Sequence, residues 1–162
     1  MNSHLLSSLI SRFKDADLAQ FEKAHPHDWL VWEPGAWRAP QRTTMVVAQK
    51  LDLTGAPKGL EALALVLAAK KPDEQLVLGR ELCDLVINDA TLSQRHLLLM
   101  HAPSGGWTVR DAGSRNGSWF ENTQMEPGRP HPLKSGTKLR AGQVQLTYYG
   151  PAEMFARIRG GR

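Results

Sequence analysis

QLVLGRELCDLVINDATLSQRHLLLMHAPSGGWTVRDAGSRNGS, residues 75–118, sets short apolar runs against frequent turn residues. Gln75–Gly79, Leu85–Asn88, His96–Ala102 and Trp107–Asp111 are each of strand length. Pro103-Ser104-Gly105-Gly106 and Gly113–Gly117 supply the turns between them. The pattern continues outward on both sides. Upstream, Leu63, Leu65 and Leu67 alternate with Ala62, Ala64 and Val66, a period of two that predicts a strand although Ala, Leu and Glu favour helix. Lys70-Lys71-Pro72-Asp73 then reads as a turn. Downstream, Glu126–Pro130, Ser135-Gly136 and Ala141-Gly142 are turn signals, and Gln143–Tyr149 is a last strand. Short strands separated by so many turns predict an all-β, antiparallel sandwich over residues 60–150.

The flanks read differently. In residues 3–24, Leu5, Leu9 and Phe13, with Leu6 and Ile10 beside them, draw one helical stripe that Ser3 can cap. The stripe loses phase near Lys14–Asp17, which predicts a kink or a second short helix over Asp17–Ala24, ended by Pro26. Residues 25–59 are expected to be irregular, with Trp29, Trp32 and Trp37 pinning the segment onto the sandwich and Met45-Val46-Val47 forming a short strand. His25 and His27 flank a proline without further ligands, so no metal is expected there. Pro151 before Met154, Phe155 and Ile158 predicts a short closing helix in residues 151–162. The division is therefore an extension, 1–59, packed on a main domain, 60–150, with a helical tail.

The 162 residues are enough for one ordinary domain with an extension. The net charge of +4 suits a phosphate-bearing partner but is too small and diffuse for a stripe that tracks nucleic acid. Cys83 is the only cysteine, which excludes an internal disulfide framework and a cysteine-cluster metal site. No apolar run approaches the roughly 20 residues of a membrane span, and the N-terminus lacks the basic start of a signal peptide. The expected location is cytoplasmic, with no membrane partner. A G-x-S-x-G elbow, a P-loop and an H-E-x-x-H helix are all missing, so neither an enzyme nor a cofactor is expected.

Three small motifs fall in order within the strand-rich region: Gly79-Arg80, Ser93-Gln94-Arg95-His96, and Asp111-Ala112-Gly113-Ser114-Arg115-Asn116-Gly117-Ser118. In this order and between strands, they make residues 60–150 resemble the forkhead-associated (FHA) domain, the phosphothreonine-reading β-sandwich. Cys83-Asp84-Leu85-Val86-Ile87 and Leu133-Lys134-Ser135-Gly136 extend the likeness. The resemblance implies a non-catalytic signalling module that captures a phosphothreonine-containing protein downstream of a Ser/Thr kinase. It makes Arg80 and Ser93 the principal phosphate contacts and gives Asn116 the peptide main chain. His96 becomes a structural tie between loops. A guanidinium suits such a ligand, because its planar fork can grip two phosphate oxygens at once. Gly79 and Gly117 support the site by letting the backbone turn sharply.

The chain departs from the family at several places. Gln94 stands where many members carry Arg or Asn, and it can still donate to a phosphate. Arg115 occupies a variable slot, as a second phosphate ligand or as the reader of a nearby acidic side chain. Arg95 is a further candidate contact, although neighbouring strand residues point to opposite faces. Ser118 replaces the usual Thr, and Glu121-Asn122 replaces a later Asn-Gly turn. Plainer readings stand beside these. Arg80 could pair with Glu81 or Asp84, Ser93 could cap a turn, and Asn116-Gly117 could be a simple hairpin. The alternative function is an oligomerisation or interaction domain with a vestigial phosphate site, binding through the N-terminal helix and the Trp segment. Thr43 and Thr44, if phosphorylated, are candidates for capture by the chain's own site.

Overall fold

The computed structural model describes residues 3–33, 62–68, 74–103 and 106–160. Two sheets face each other. One has seven strands in the order β1 (Ser3–Leu5), β3 (Leu63–Leu67), β2 (Asp28–Trp32), β12 (Val144–Tyr149), β11 (Lys138–Ala141), β8 (Ser118–Phe120) and β9 (Thr123–Gln124). The other has five, in the order β10 (His131–Pro132), β7 (Trp107–Asp111), β6 (Leu97–His101), β4 (Gln75–Gly79) and β5 (Leu85–Val86). All pairings are antiparallel except β4 with β5. The fold is the all-β sandwich that the turn-punctuated strands lead one to expect.

Alternation decides which side chains fill the space between the sheets. Leu78, Leu97, Leu99, Val109, Leu139 and Leu146 point inward and are buried together. In β11 the alternation is complete: Leu139 and Ala141 are buried, and Lys138 and Arg140 are exposed. A second apolar layer lies on the outer face of the seven-stranded sheet. There α1 (Leu6–Arg12), α2 (Leu18–Ala24) and α3 (Pro151–Arg159) bury Leu6, Leu9, Phe13, Phe21, Met154 and Ile158 against Trp29, Val31 and Ala64.

The N-terminal region differs from the expectation in three ways. The helical stretch expected over 3–24 opens instead with a strand, ahead of two helices, the second of them in the place expected for Asp17–Ala24. Ser3 is the first residue of β1, not a cap, and the loss of phase near Lys14–Asp17 is the break between α1 and α2. The cap belongs to Asp17, whose carboxylate accepts from Gln20 N–H at 2.9 Å while the Gln20 side chain accepts from Asp17 N–H. Within the segment expected to be irregular, Asp28–Trp32 is a strand lying between β3 and β12. Trp29 and Val31 face the helices, and Leu30 and Trp32 face the sandwich core. The two tryptophans and the stripe that includes Leu9 and Phe13 are therefore spent internally, not offered to a partner. Trp37, Thr43, Thr44 and Met45–Val47 lie outside the described residues.

The closing helix starts with Pro151 at its first turn, as expected. It is clamped to the end of β2. Arg157 forks onto both oxygens of Glu33 at 2.7 Å, and Thr147 Oγ1 donates to the same carboxylate at 2.6 Å. Glu121 rather than Asn122 takes the left-handed backbone of the β8–β9 turn, at φ 55°.

Candidate functional site

Three loops converge at one end of the sandwich, and each has a physical reason for its place. The first follows β4 and carries Arg80. At Gly79 an added Cβ would sit 1.8 Å from the Gln94 carbonyl oxygen. Gly79 is therefore needed for close approach of two backbones, not for the sharp turn expected of it. The contact is cemented by Arg80 N–H, which donates to Ser93 O at 3.0 Å. The Cys83 thiol donates to Gln94 O at 2.8 Å, and burial pushes that thiol's pKa up against the pull of Arg95.

The second loop, residues 88–95, is held from inside by His96. Ser93 N–H donates to His96 Nδ1 at 3.0 Å, so the proton of the neutral ring is on Nε2, which donates to Gly117 O at 2.9 Å. The ring is fully buried, and burial holds its pKa below the ordinary imidazole range against the opposing pull of the Gly117 carbonyl. His96 thus ties the serine loop to the asparagine loop. A protonated ring would face the Ser93 N–H with a second donor.

The third loop, residues 112–117, is organised by Asp111. Its carboxylate accepts from Gly113 N–H at 2.9 Å, Ser114 N–H at 3.0 Å, and the hydroxyls of Ser114 and Ser118 at 2.5 Å each. Burial alone would raise its pKa, but these donors outweigh it and hold the carboxyl below the usual range. Gly117, at φ +83°, turns the chain under the Trp119 ring, where a Cβ would meet ring carbons at 3.3 Å. Arg115 N–H then donates to Ser93 Oγ at 3.0 Å, and Asn116 Nδ2 donates to Thr91 O at 2.7 Å.

The outcome is a cleft of about 440 Å³ lined by Arg80, Ser93, Gln94, Arg115 and Asn116, together with Ala90 and Leu92. Among the described residues the Arg80 guanidinium has no ion-pair or hydrogen-bond partner. Glu81 instead accepts from Gln94 Nε2 at 3.1 Å, and Asp84 accepts from Val77 N–H at 2.8 Å. Arg95 is exposed and does not line the cleft.

Sequence reasoning missed the residues that shape the loops without lining them. Asp111 was legible from the serine three positions later, and Asp89 from Thr91 two positions later, both patterns of side-chain-closed turns. Asp89 Oδ1 accepts from Thr91 N–H at 2.8 Å and from its hydroxyl at 2.5 Å. Burial raises the Asp89 pKa against those bonds. No group of three or more His, Cys, Asp or Glu side chains placed to hold a metal occurs among the described residues.

Residues 76–142 match the family model of the FHA domain. Over those residues the chain is similar to the FHA family. A comparison with curated proteins finds no match. Among solved structures, it is similar to the FHA domain of an Arabidopsis thaliana hypothetical protein, at 22% identity and a TM-score of 0.52, over 78% of this chain and 86% of that one. It is similar to the FHA domain of the CT664 protein of Chlamydia trachomatis, at 16% identity and a TM-score of 0.51, over 75% and 96%. Full-length yeast Pml1p aligns at 16% identity and a TM-score of 0.53, over 76% and 80%. At these identities the likeness is one of fold, and it extends well beyond the residues of the FHA match.

Proposed function

We propose that this FHA-like domain captures a phosphothreonine-containing protein, downstream of a Ser/Thr kinase, and performs no catalysis. FHA domains are phosphothreonine-binding signalling modules. The observation that carries the reading here is the convergence of Arg80, Ser93, Gln94, Arg115 and Asn116 on one cleft, with Arg80 unengaged by neighbouring carboxylates. Arg80 supplies the forked, charge-assisted contact to two phosphate oxygens. Ser93 Oγ already accepts from Arg115 N–H, so its own hydrogen is left to be donated to a third oxygen. Arg115 and Gln94 close over the anion. Asn116, oriented by Thr91, meets the peptide main chain through its remaining amide valences.

The test is titration of the full chain with a degenerate phosphothreonine-peptide library, then with the best sequence in phosphorylated and unphosphorylated form. Arg80→Ala should reduce phosphopeptide affinity at least about a hundredfold, since a charge-assisted bidentate contact is removed. Its melting temperature should be unchanged, because no partner among the described residues is stranded. Unaltered affinity in a folded Arg80→Ala variant rules the reading out.

A further inference from the structure

The outer face of the seven-stranded sheet changes character at β12. On the side of β2, β3 and β1 it is apolar and covered by helices. On the side of β11, β8 and β9 it is open and cationic. There one cross-strand row runs Gln124–Trp119–Arg140–Gln145 over four strands, fixed by the register of the three pairings. Arg140 lies flat over the Trp119 ring, 3.9 Å from its centroid, and Lys138 stands on the same face two residues earlier. Among the described residues neither cation has a carboxylate partner. Glu121, the one acidic residue on this wall, makes no ion pair with either.

This face is continuous with the Arg80 cleft. Asn116 lines both that cleft and a second one of about 330 Å³, walled by Thr91, Gly142 and Gln143. Trp119 and Arg140 line the second cleft and also a third, of about 400 Å³, that reaches Lys138. A polypeptide anchored at Arg80 can therefore run along the wall past Asn116 and onto the sheet face. From the sequence, residues 34–61 carry Arg38, Arg42, Lys50 and Lys58 against Asp52 and Glu61, a charge balance that does not complement a cationic face. Stacked nucleobases fit poorly too, because the guanidinium already covers the ring face that a base would use. The edge of the guanidinium still offers donors in the geometry that carboxylates accept.

We infer that the Trp119–Arg140–Lys138 face is a second docking surface, which takes an Asp/Glu-rich segment of the same polypeptide that presents the phosphothreonine. The inference rests on the phosphothreonine reading of the Arg80 cleft and adds a second point of attachment. Stacking on Trp119 holds the Arg140 fork in place, so less side-chain freedom is lost when a carboxylate binds it.

The experiment uses the full chain and a phosphothreonine-peptide pool of degenerate flanking sequence. Each pool is made with and without a block of about four Asp/Glu residues, placed roughly five to ten positions toward either terminus. The acidic block on one side should tighten binding roughly five- to tenfold at low salt, a gain that shrinks as salt rises. The paired substitution Lys138→Gln with Arg140→Gln should erase that gain and leave the affinity of the plain phosphopeptide unchanged. Lys138→Glu with Arg140→Glu should transfer the gain to a Lys block, which separates a docking contact from damage to the fold. If the plain phosphopeptide binds but the acidic block adds nothing, or its gain survives the Gln substitutions, this inference is overturned and the phosphothreonine reading stands. Failure of every phosphopeptide overturns both. Tighter binding of a single-stranded oligonucleotide than of any acidic peptide, lost with the same substitutions, would assign the face to nucleic acid instead.

Discussion

Two residues next to Arg80 sit in unusual positions for opposite reasons. Leu82 has a left-handed backbone, φ 58°, and is 94% exposed. A branched side chain in that region is strained by roughly 1–2 kcal/mol, and here it gains no burial in return. Leu82→Gly should therefore raise stability by up to about 1 kcal/mol once the glycine's greater unfolded-state freedom is subtracted. A denaturant midpoint that falls instead would show that the side chain has a stabilising contact. Gly79 behaves in the opposite way. Its Cβ would collide with the backbone of Gln94, which cannot rotate aside as a side chain could. Gly79→Ala should cost roughly 1–3 kcal/mol and, by pushing the Ser93 loop off Arg80, weaken phosphopeptide binding in parallel. Thermal melts and titrations on the same preparation would show both losses; full stability with normal binding would contradict the close approach. Gly79 could be singled out from the sequence as important, but not for this reason. The Gly-Arg pair is legible, whereas the carbonyl it must admit lies fifteen positions away.

Among the elements, those with one wet and one dry face were legible. β7 reads buried–half-buried in strict alternation, and Trp107–Asp111 is bounded as expected. β11 carries the same signal in Lys-Leu-Arg-Ala but is only four residues long between glycine-rich turns. β2 gives no such signal, because Trp29–Trp32 is buried on both sides, between helices and core. Where α2 meets β2, His4, His25 and His27 pack around Trp29, with ring centroids 5.9, 5.2 and 4.5 Å from it. His27 Nδ1 lies 3.1 Å from Asp28 O, which can only accept, so in a neutral His27 ring Nε2 accepts from His25 Nδ1 at 3.3 Å. Burial lowers all three pKa values, that of His25 to about 4; the His27 and His4 rings and Arg12 add to it at His25, Arg12 and the His27 ring add to it at His4, and at His27 Asp28 opposes the fall. The unfolded chain takes up these protons near pH 6.5, whereas the folded one resists. Stability should therefore be level above pH 6.5 and fall as pH drops from there toward 4. His25→Gln should flatten that slope in a pH series of chemical melts. An unchanged slope would place the titration elsewhere, with buried His96 the next group to replace.

For the molecule as a whole, the helices act as the cover of one sheet. Deleting residues 1–24 removes β1, α1 and α2, and leaves Trp29, Val31 and Ala64 facing water beside Met154. The truncated chain should aggregate or melt far lower, while Arg80, Ser93 and Asn116, on loops away from the covered face, keep their arrangement. A soluble truncation of full stability would show that the cover is dispensable. The loops of the Arg80 cleft could be read within residues 75–118, because every residue that lines the cleft falls in that stretch. The cover could not be read in the same way, since its meaning lies in contacts between chain ends. β2 illustrates this most plainly. Its hydroxyl and carboxylate bonds to β12, Tyr148 to Asp28 and Thr147 to Glu33, span 120 and 114 positions of sequence. On a ribosome adding about 5–20 residues each second, β2 emerges on the order of ten seconds before the strand that will flank it. During that interval β3 can protect one of its edges, but the other remains a bare row of peptide groups flanked by two tryptophans. Synthesis is therefore the moment at which β2 is most exposed, and the arrival of β12 ends it.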